Sequence, residues 1–359
     1  MLVSGDGTVF SVIGAKSVAK VTPLSVVVMG DSFSSGEGAE PGYTGYREGT
    51  GLDAVGQPPS PLNRCHRSDD AYAALLRPRG SSKTFRALGG DSGDGNSDAP
   101  EVAGFSWQFL ACSGATTRHF RDTPHFDEAP QISQLGQLFP SAGPDLIVLT
   151  LGGNDAEFAD LMTTCAFEEN CQDFESSANP ALTWSQYLTP RIQNEVRSAV
   201  RLSYQQLLTA TGGSSTVVAL GYPQLVPGVI ANAPEHDSVC RHLRVFEAPF
   251  SLLRIDAQEQ TFLRALTSQM NDMLEEVAAE MGIHFLRIDW GGHEPCGVGD
   301  VPWIHGIREF RPVHSFHPTA AGQAQYAEAL NQFLIEQGTS SPYGFFVNGL
   351  PKNPVGESQ

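Results

Sequence analysis

Ser25-Val26-Val27-Val28-Met29-Gly30-Asp31-Ser32-Phe33-Ser34 decides the reading of this chain. Val26–Met29 has no polar alternation, so it reads as a strand buried on both faces, and Gly30 then releases the backbone into a turn. A serine hydroxyl is thereby delivered to the carboxyl edge of a strand, where open α/β sheets place their chemistry. Ser32 is a candidate nucleophile, although a serine in this position also suits the cap of a following helix.

Four more segments read as strands: Ser106–Ala111, Leu146–Leu151, Thr216–Gly221 and Ile283–Asp289. Between them Ile192, Val196, Val200 and Leu207 recur at helical spacing, as do Phe262, Leu266, Met270, Met273, Val277 and Met281. A last helix is expected from Pro318 through Tyr326, Leu330 and Phe333 to Gly338. Alternating strands and helices predict an α/β class, a three-layer α/β/α sandwich on a central five-stranded parallel sheet. Residues 24–338 are expected to form one domain, with an N-terminal extension over 1–23 and a polar tail over 339–359.

Long irregular stretches separate these elements: Gly36–Pro61, Gly89–Gly104, Cys165–Ala181 and Gly221–Pro249. Loops of this length tend to be functional walls and lids. Asp91–Asp98 lacks the glycine position and closing glutamate of an EF-hand, so it reads as a solvated acidic loop.

The 359 residues carry a formal charge of −18, which disfavours nucleic acid or an anionic membrane as partner. No stretch approaches the ~20 apolar residues that span a bilayer. Met1–Thr22 has no basic start leading into an apolar core, so no leader is expected within it. The pattern G-x-G-x-x-G, a P-loop lysine and G-x-S-x-G are all missing, which disfavours nucleotide binding and the ordinary α/β-hydrolase site.

Two distant segments complement Ser32. Leu151-Gly152-Gly153-Asn154-Asp155 follows the apolar run Leu146–Leu149, and Ser315-Phe316-His317-Pro318 precedes the final helix. Nucleophile, carboxamide donor and base occur in the order that marks the SGNH hydrolases, or GDSL esterases and lipases, and over residues 24–337 the chain resembles that family, its secreted actinobacterial members in particular. The marker glycine then falls on Gly114 in Ala111-Cys112-Ser113-Gly114-Ala115. The resemblance implies a flavodoxin-like strand order 2-1-3-4-5 and hydrolysis of carboxylic esters, lipid or short-to-medium acyl esters, without a cofactor. It assigns Ser32 as nucleophile, His317 as general base, and the N–H groups of Ser32 and Gly114 with the Asn154 amide as oxyanion donors. Gly114 as a turn former and Asn154 as a helix cap are the structural alternatives.

One position departs from the common family pattern. Three residues before the histidine, where an aspartate often orients the ring, this chain has His314. The expectation is therefore a Ser32–His317 dyad steered by the main-chain oxygen of His314 or Ser315, with Asp289 and Asp300 as substitutes. Asp31 and Asp155 read as loop-fixing groups. The remaining histidines, His66, His119, His125 and His305 among them, read as structural or surface groups. Trp303 reads as a packed side chain or a pocket wall, and Phe246–Leu253 as an acyl site or core.

Six cysteines, at 65, 112, 165, 171, 240 and 296, form no C-x-x-C pair and no metal-ligand spacing with histidine, so no metal is expected. Residues alone leave 15 disulfide connectivities open, or buried free thiols. The resemblance implies sequential pairing, Cys65–Cys112, Cys165–Cys171 and Cys240–Cys296, and with it secretion. Oligomeric state is not legible. A carbohydrate acyl esterase and a non-catalytic binding module on the same fold are the rival readings.

Overall fold

The computed structural model describes residues 25–39, 64–76, 84, 106–126, 128–226, 255–295, 301–306, 308 and 312–337, with the short strand segments 2–3, 9–12, 18–21 and 46–47. Five parallel strands form the central sheet: β1 (Ser25–Gly30), β2 (Ser106–Phe109), β3 (Leu146–Thr150), β4 (Thr216–Leu220) and β5 (His284–Leu286). Their order is β2-β1-β3-β4-β5, the order expected. The helices are α1 (Ser32–Ser35), α2 (Tyr72–Leu75), α3 (Thr117–Arg121), α4 (Gln131–Leu138), α5 (Phe158–Phe167), α6 (Trp184–Arg191), α7 (Arg197–Ala210), α8 (Ala257–Glu280) and α9 (Ala320–Gln337).

The sheet centre is as apolar as the sequence demands. Val26, Val27, Val28, Leu146, Ile147, Val148, Val217 and Val218 are all fully buried. Each stabilises the fold by about 1.5–3 kcal/mol relative to exposure, before the cost of ordering the chain. Helices α3, α4, α7 and α8 pack on one another, whereas α9 packs with α2. The N-terminal segments Leu2–Val3, Val9–Val12 and Val18–Val21 form an antiparallel meander within the extension expected over 1–23.

Element ends differ from expectation for local reasons. β2 stops at Phe109 because the N–H groups of Leu110 and Ala111 both converge on the Val28 carbonyl, at 2.7 and 3.1 Å, which breaks the ladder. β5 stops at Leu286, where Arg287 turns outward to Asp272 and Glu275. α9 starts after Pro318 because the Thr319 hydroxyl accepts the Gly322 N–H. Between α6 and α7 a π turn covers Ile192–Val196, just after Pro190, whose missing N–H interrupts the α ladder.

Two of the expected disulfides are formed, Cys65–Cys112 and Cys165–Cys171. Cys240 and Cys296, like Asp91–Asp98 and Phe246–Leu253, lie outside the described residues. None of the described helices is long and apolar enough to cross a membrane.

Candidate active site

β1 runs beside β2 on one side and β3 on the other, so successive connections leave its carboxyl end in opposite directions and open a crevice there. Gly30 makes the exit possible. Its φ is +109°, and a Cβ would stand 2.1 Å from the Thr150 carbonyl oxygen. Gln131 fastens this peptide by accepting from the Gly30 N–H at 2.7 Å and donating to its carbonyl at 2.8 Å. Asp31 caps the single turn α1 by accepting the Phe33 N–H, and Ser32 opens that turn, 6% exposed.

The second segment is locked from both sides. The Cys112 N–H donates to the Gly30 carbonyl and the Ser113 N–H to the Cys65 carbonyl, both at 3.0 Å. Arg67, buried against Glu128, donates to the carbonyls of Leu110 and Ala111. Gly114 has φ +76°, a conformation that favours glycine, while space around it is not limiting. The Asn154 amide donates to the Ala115 carbonyl at 2.9 Å, which joins the third segment to the second. Asp155 accepts from the Thr117 N–H and hydroxyl, and so ties the same loop to α3.

His317 arrives from the turn before α9. Its Nδ1 is 3.1 Å from the Ser315 carbonyl oxygen and its Nε2 is 2.8 Å from Ser32 Oγ. A carbonyl only accepts, so Nδ1 carries the proton, and Nε2 presents a lone pair to the serine hydroxyl. Of the two expected orienting oxygens, the ring uses Ser315. The His314 carbonyl instead accepts the His317 backbone N–H at 3.1 Å. Asp289 stands elsewhere, exposed and capping the Gly291 N–H, and Asp300 lies outside the described residues.

Behind this pair lies a group that sequence reasoning missed. Glu37 is fully buried and its carboxylate pairs with His66 Nδ1, receives the Ser113 hydroxyl, and stands 3.6 Å from His314 Nε2. Burial alone would raise its pKa, but the His66 hydrogen bond and the charges of His317 and His66 outweigh that and hold it below the ordinary value. For His317 enclosure dominates and lowers the pKa, opposed by the Glu37 charge and the Ser315 carbonyl. His66 and His305, expected as structural or surface groups, thus stand close to the imidazole. The only sequence signal was an acid between two glycines, Gly36-Glu37-Gly38, just past Ser32.

The Asp31 carboxylate is bonded to groups other than His317. Its carboxylate accepts from the Thr150 hydroxyl at 2.6 Å, from the Phe33 N–H at 3.1 Å and from the Tyr222 hydroxyl. Burial raises its pKa, against those hydrogen bonds. Tyr222 also accepts the Gly153 N–H at 2.9 Å, and the Phe33 ring lies between Tyr222 and His317. Trp303 stacks on His293, 3.9 Å between ring centres, and is a packed side chain outside the cavity lining.

Ser32, Gly114, Asn154, Ser315 and His317 all open on one cavity of about 640 Å³. Phe158, Met162, Ala166, Phe167, Leu225, Met270, Val313 and Phe316 make most of its wall apolar, and Arg308 stands at it. Among the described residues no cluster of three histidine, cysteine or carboxylate side chains is placed to hold a metal ion.

A parallel sheet in this order, with a serine and a histidine joined at its switch point and an asparagine and a glycine beside them, defines a hydrolase class. The chain belongs to the GDSL-like Lipase/Acylhydrolase family, whose profile matches residues 28–325. It is 26% identical over 324 residues to Lipase 1 of Streptomyces coelicolor, covering 89% of this chain and 91% of that one. Among solved structures it is similar to the extracellular lipase of Streptomyces rimosus, with 26% identity, TM-score 0.56, and coverage of 86% and 99%. It is likewise similar to phospholipase A1 of Streptomyces albidoflavus NA297, with 27% identity, TM-score 0.57, and coverage of 87% and 99%.

Proposed function

We propose that the chain is an exported carboxylic ester hydrolase acting on lipid or short-to-medium acyl esters, through a Ser32–His317 dyad within a domain spanning 24–338. The observation that carries this reading is the 2.8 Å approach of His317 Nε2 to Ser32 Oγ inside a largely apolar cavity. His317 takes the hydroxyl proton as Ser32 Oγ attacks the ester carbonyl carbon. The resulting oxyanion is received by the N–H groups of Ser32 and Gly114 and by the Asn154 amide. The imidazolium, held by the Ser315 carbonyl, then protonates the departing alkoxide, and the alcohol leaves an acyl-serine. Water, deprotonated by the same ring, attacks that ester, and Ser32 recovers its proton as the carboxylic acid departs.

The apolar wall favours acyl chains over glycans as the group bound beside the serine. Two disulfides and the likeness to an extracellular lipase support export. The test is turnover of p-nitrophenyl acetate, butyrate and palmitate by wild type and Ser32→Ala, with and without a serine-directed inhibitor. The reading expects inhibitor-sensitive turnover, absent from Ser32→Ala. Failure to turn over any of the three overturns it in favour of a binding module.

A further inference from the structure

We propose that Glu37 is the acid of this site, a positioning residue whose buried carboxylate steadies the His317 imidazolium through space in place of the aspartate that a triad holds by contact. The inference rests on the Ser32–His317 reading above. A peptide carbonyl can orient a ring, but it carries only a dipole, and a histidine that becomes charged in mid-reaction gains more from a nearby full negative charge.

Both nitrogens of His317 are already committed, Nε2 to Ser32 and Nδ1 to Ser315, so any acid must act across a gap. Glu37 is placed for it. Its own N–H donates to the Ser32 carbonyl at 3.0 Å, and the next residue, Gly38, runs so close to the base that a Cβ there would stand 3.0 Å from His317 Cβ. Gly38 has φ +85° and its carbonyl accepts from His305 Nε2 at 2.8 Å. The stretch bearing the carboxylate therefore touches both members of the dyad.

A carboxylate with no solvent exposure costs several kcal/mol unless partners compensate it. Here His66, Ser113 and His314 surround it. The groups facing His317 pull in opposite directions. Glu37 favours the charged ring; His314 and His66 oppose it, and His305 couples to it with like sign. Arg308 lines the same cavity, and the carboxylate of Asp31 is spent on Tyr222, Thr150 and Phe33. Of the charged groups that act on this ring, Glu37 is the anion that favours its charged form.

The experiment is the pH profile of kcat/KM for Glu37→Gln, Glu37→Asp and wild type on one p-nitrophenyl ester, with thermal melting of each. Removing the charge lowers the His317 pKa, so the acid limb of Glu37→Gln moves to lower pH by roughly one unit while kcat on the plateau falls roughly tenfold. Glu37→Asp keeps the limb near that of wild type. A merely structural glutamate would cost activity at every pH and leave the limb where it was, and that result overturns the proposal. Should Glu37→Gln not fold, His66→Asn serves. Asparagine tolerates the φ of +51° at that position, and the substitution removes an imidazole that opposes the charged form of His317. Its limb is expected at or above that of wild type, and a limb below it overturns the proposal. Ser32→Ala in the same assay keeps the two readings apart: turnover that survives it defeats the dyad, whereas Ser32-dependent turnover with an unmoved Glu37→Gln limb defeats the role of Glu37 alone.

Discussion

The hydroxyl of Tyr222 accepts the N–H of Gly153 at 2.9 Å while donating its own proton to Asp31. One oxygen thus braces the loop that carries Asn154 against the turn that carries Ser32. Tyr222→Phe leaves the Asp31 carboxylate short of a donor and the Gly153 N–H without its acceptor. Loss of a buried partner of this kind costs about 1–3 kcal/mol. The expected outcome is a melting temperature lower by several degrees and a kcat reduced roughly tenfold, measured on one p-nitrophenyl ester beside wild type.

If Ser32 and His317 act as one unit, their deletions are not additive. Ser32→Ala and His317→Ala each lower kcat by at least about 10³, and the double variant is no worse than either single one. Single-turnover and steady-state rates of the three proteins decide it.

Acid weakens the protein through its enclosed histidines. Burial is the leading cause that takes His305 from its ordinary 6.5 to about 4. Above the unfolded pKa both states are neutral there and no stability is at stake. As pH falls below about 6.5 the unfolded chain binds a proton that the folded one refuses, and stability on the order of 3 kcal/mol drains away until about pH 4. His317, shifted in the same direction, adds to this loss, and its ring stays neutral to a lower pH than an ordinary histidine. Urea unfolding as a function of pH should show the decline, and His305→Gln, which keeps a donor for the Gly38 carbonyl, should soften it.

The two disulfides differ in what they constrain. Cys65 and Cys112 are 47 residues apart, Cys165 and Cys171 only 6. Loop-closure entropy gives about 4 kcal/mol for the first and about 2–3 kcal/mol for the second. Paired alanine replacement at 65 and 112 should lower the melting temperature more. It should also depress kcat, because Cys112 precedes Ser113 and Gly114 and its N–H anchors that loop to Gly30.

Arg308 is a cation on an apolar cavity. If the natural ester carries a phosphate, Arg308→Ala raises KM for a phospholipid several-fold and leaves a neutral p-nitrophenyl ester unaffected. Equal effects on both substrates would assign the arginine to packing.

The sheet was legible because strands such as Val26–Met29 are buried on both faces, and such strands need unbroken apolar runs. Ser32, Gly114, Asn154 and His317 were legible because each sits just beyond such a run or at the start of a helix, where the chain turns into the crevice. Element ends were less so: Arg287 leaves the sheet for two carboxylates on α8 that no local pattern announces. Glu37 and Tyr222 escaped for the same reason. Their roles come from contacts across 29 and 191 residues, to His66 and Asp31, and a lone glutamate or tyrosine in sequence looks like any other. The choice between His314 and Ser315 was open because it turns on which carbonyl a tight bend points inward.

That bend has a consequence for how the enzyme tolerates change. Every amino acid brings the same peptide oxygen, so no codon substitution at 315 can delete the group that steers the imidazole. The fragility passes to the neighbouring position, where Phe316 holds φ +60°, a geometry bulky residues seldom accept. Inheritance of the steering group is thus written in the shape of a loop instead of in the identity of a side chain.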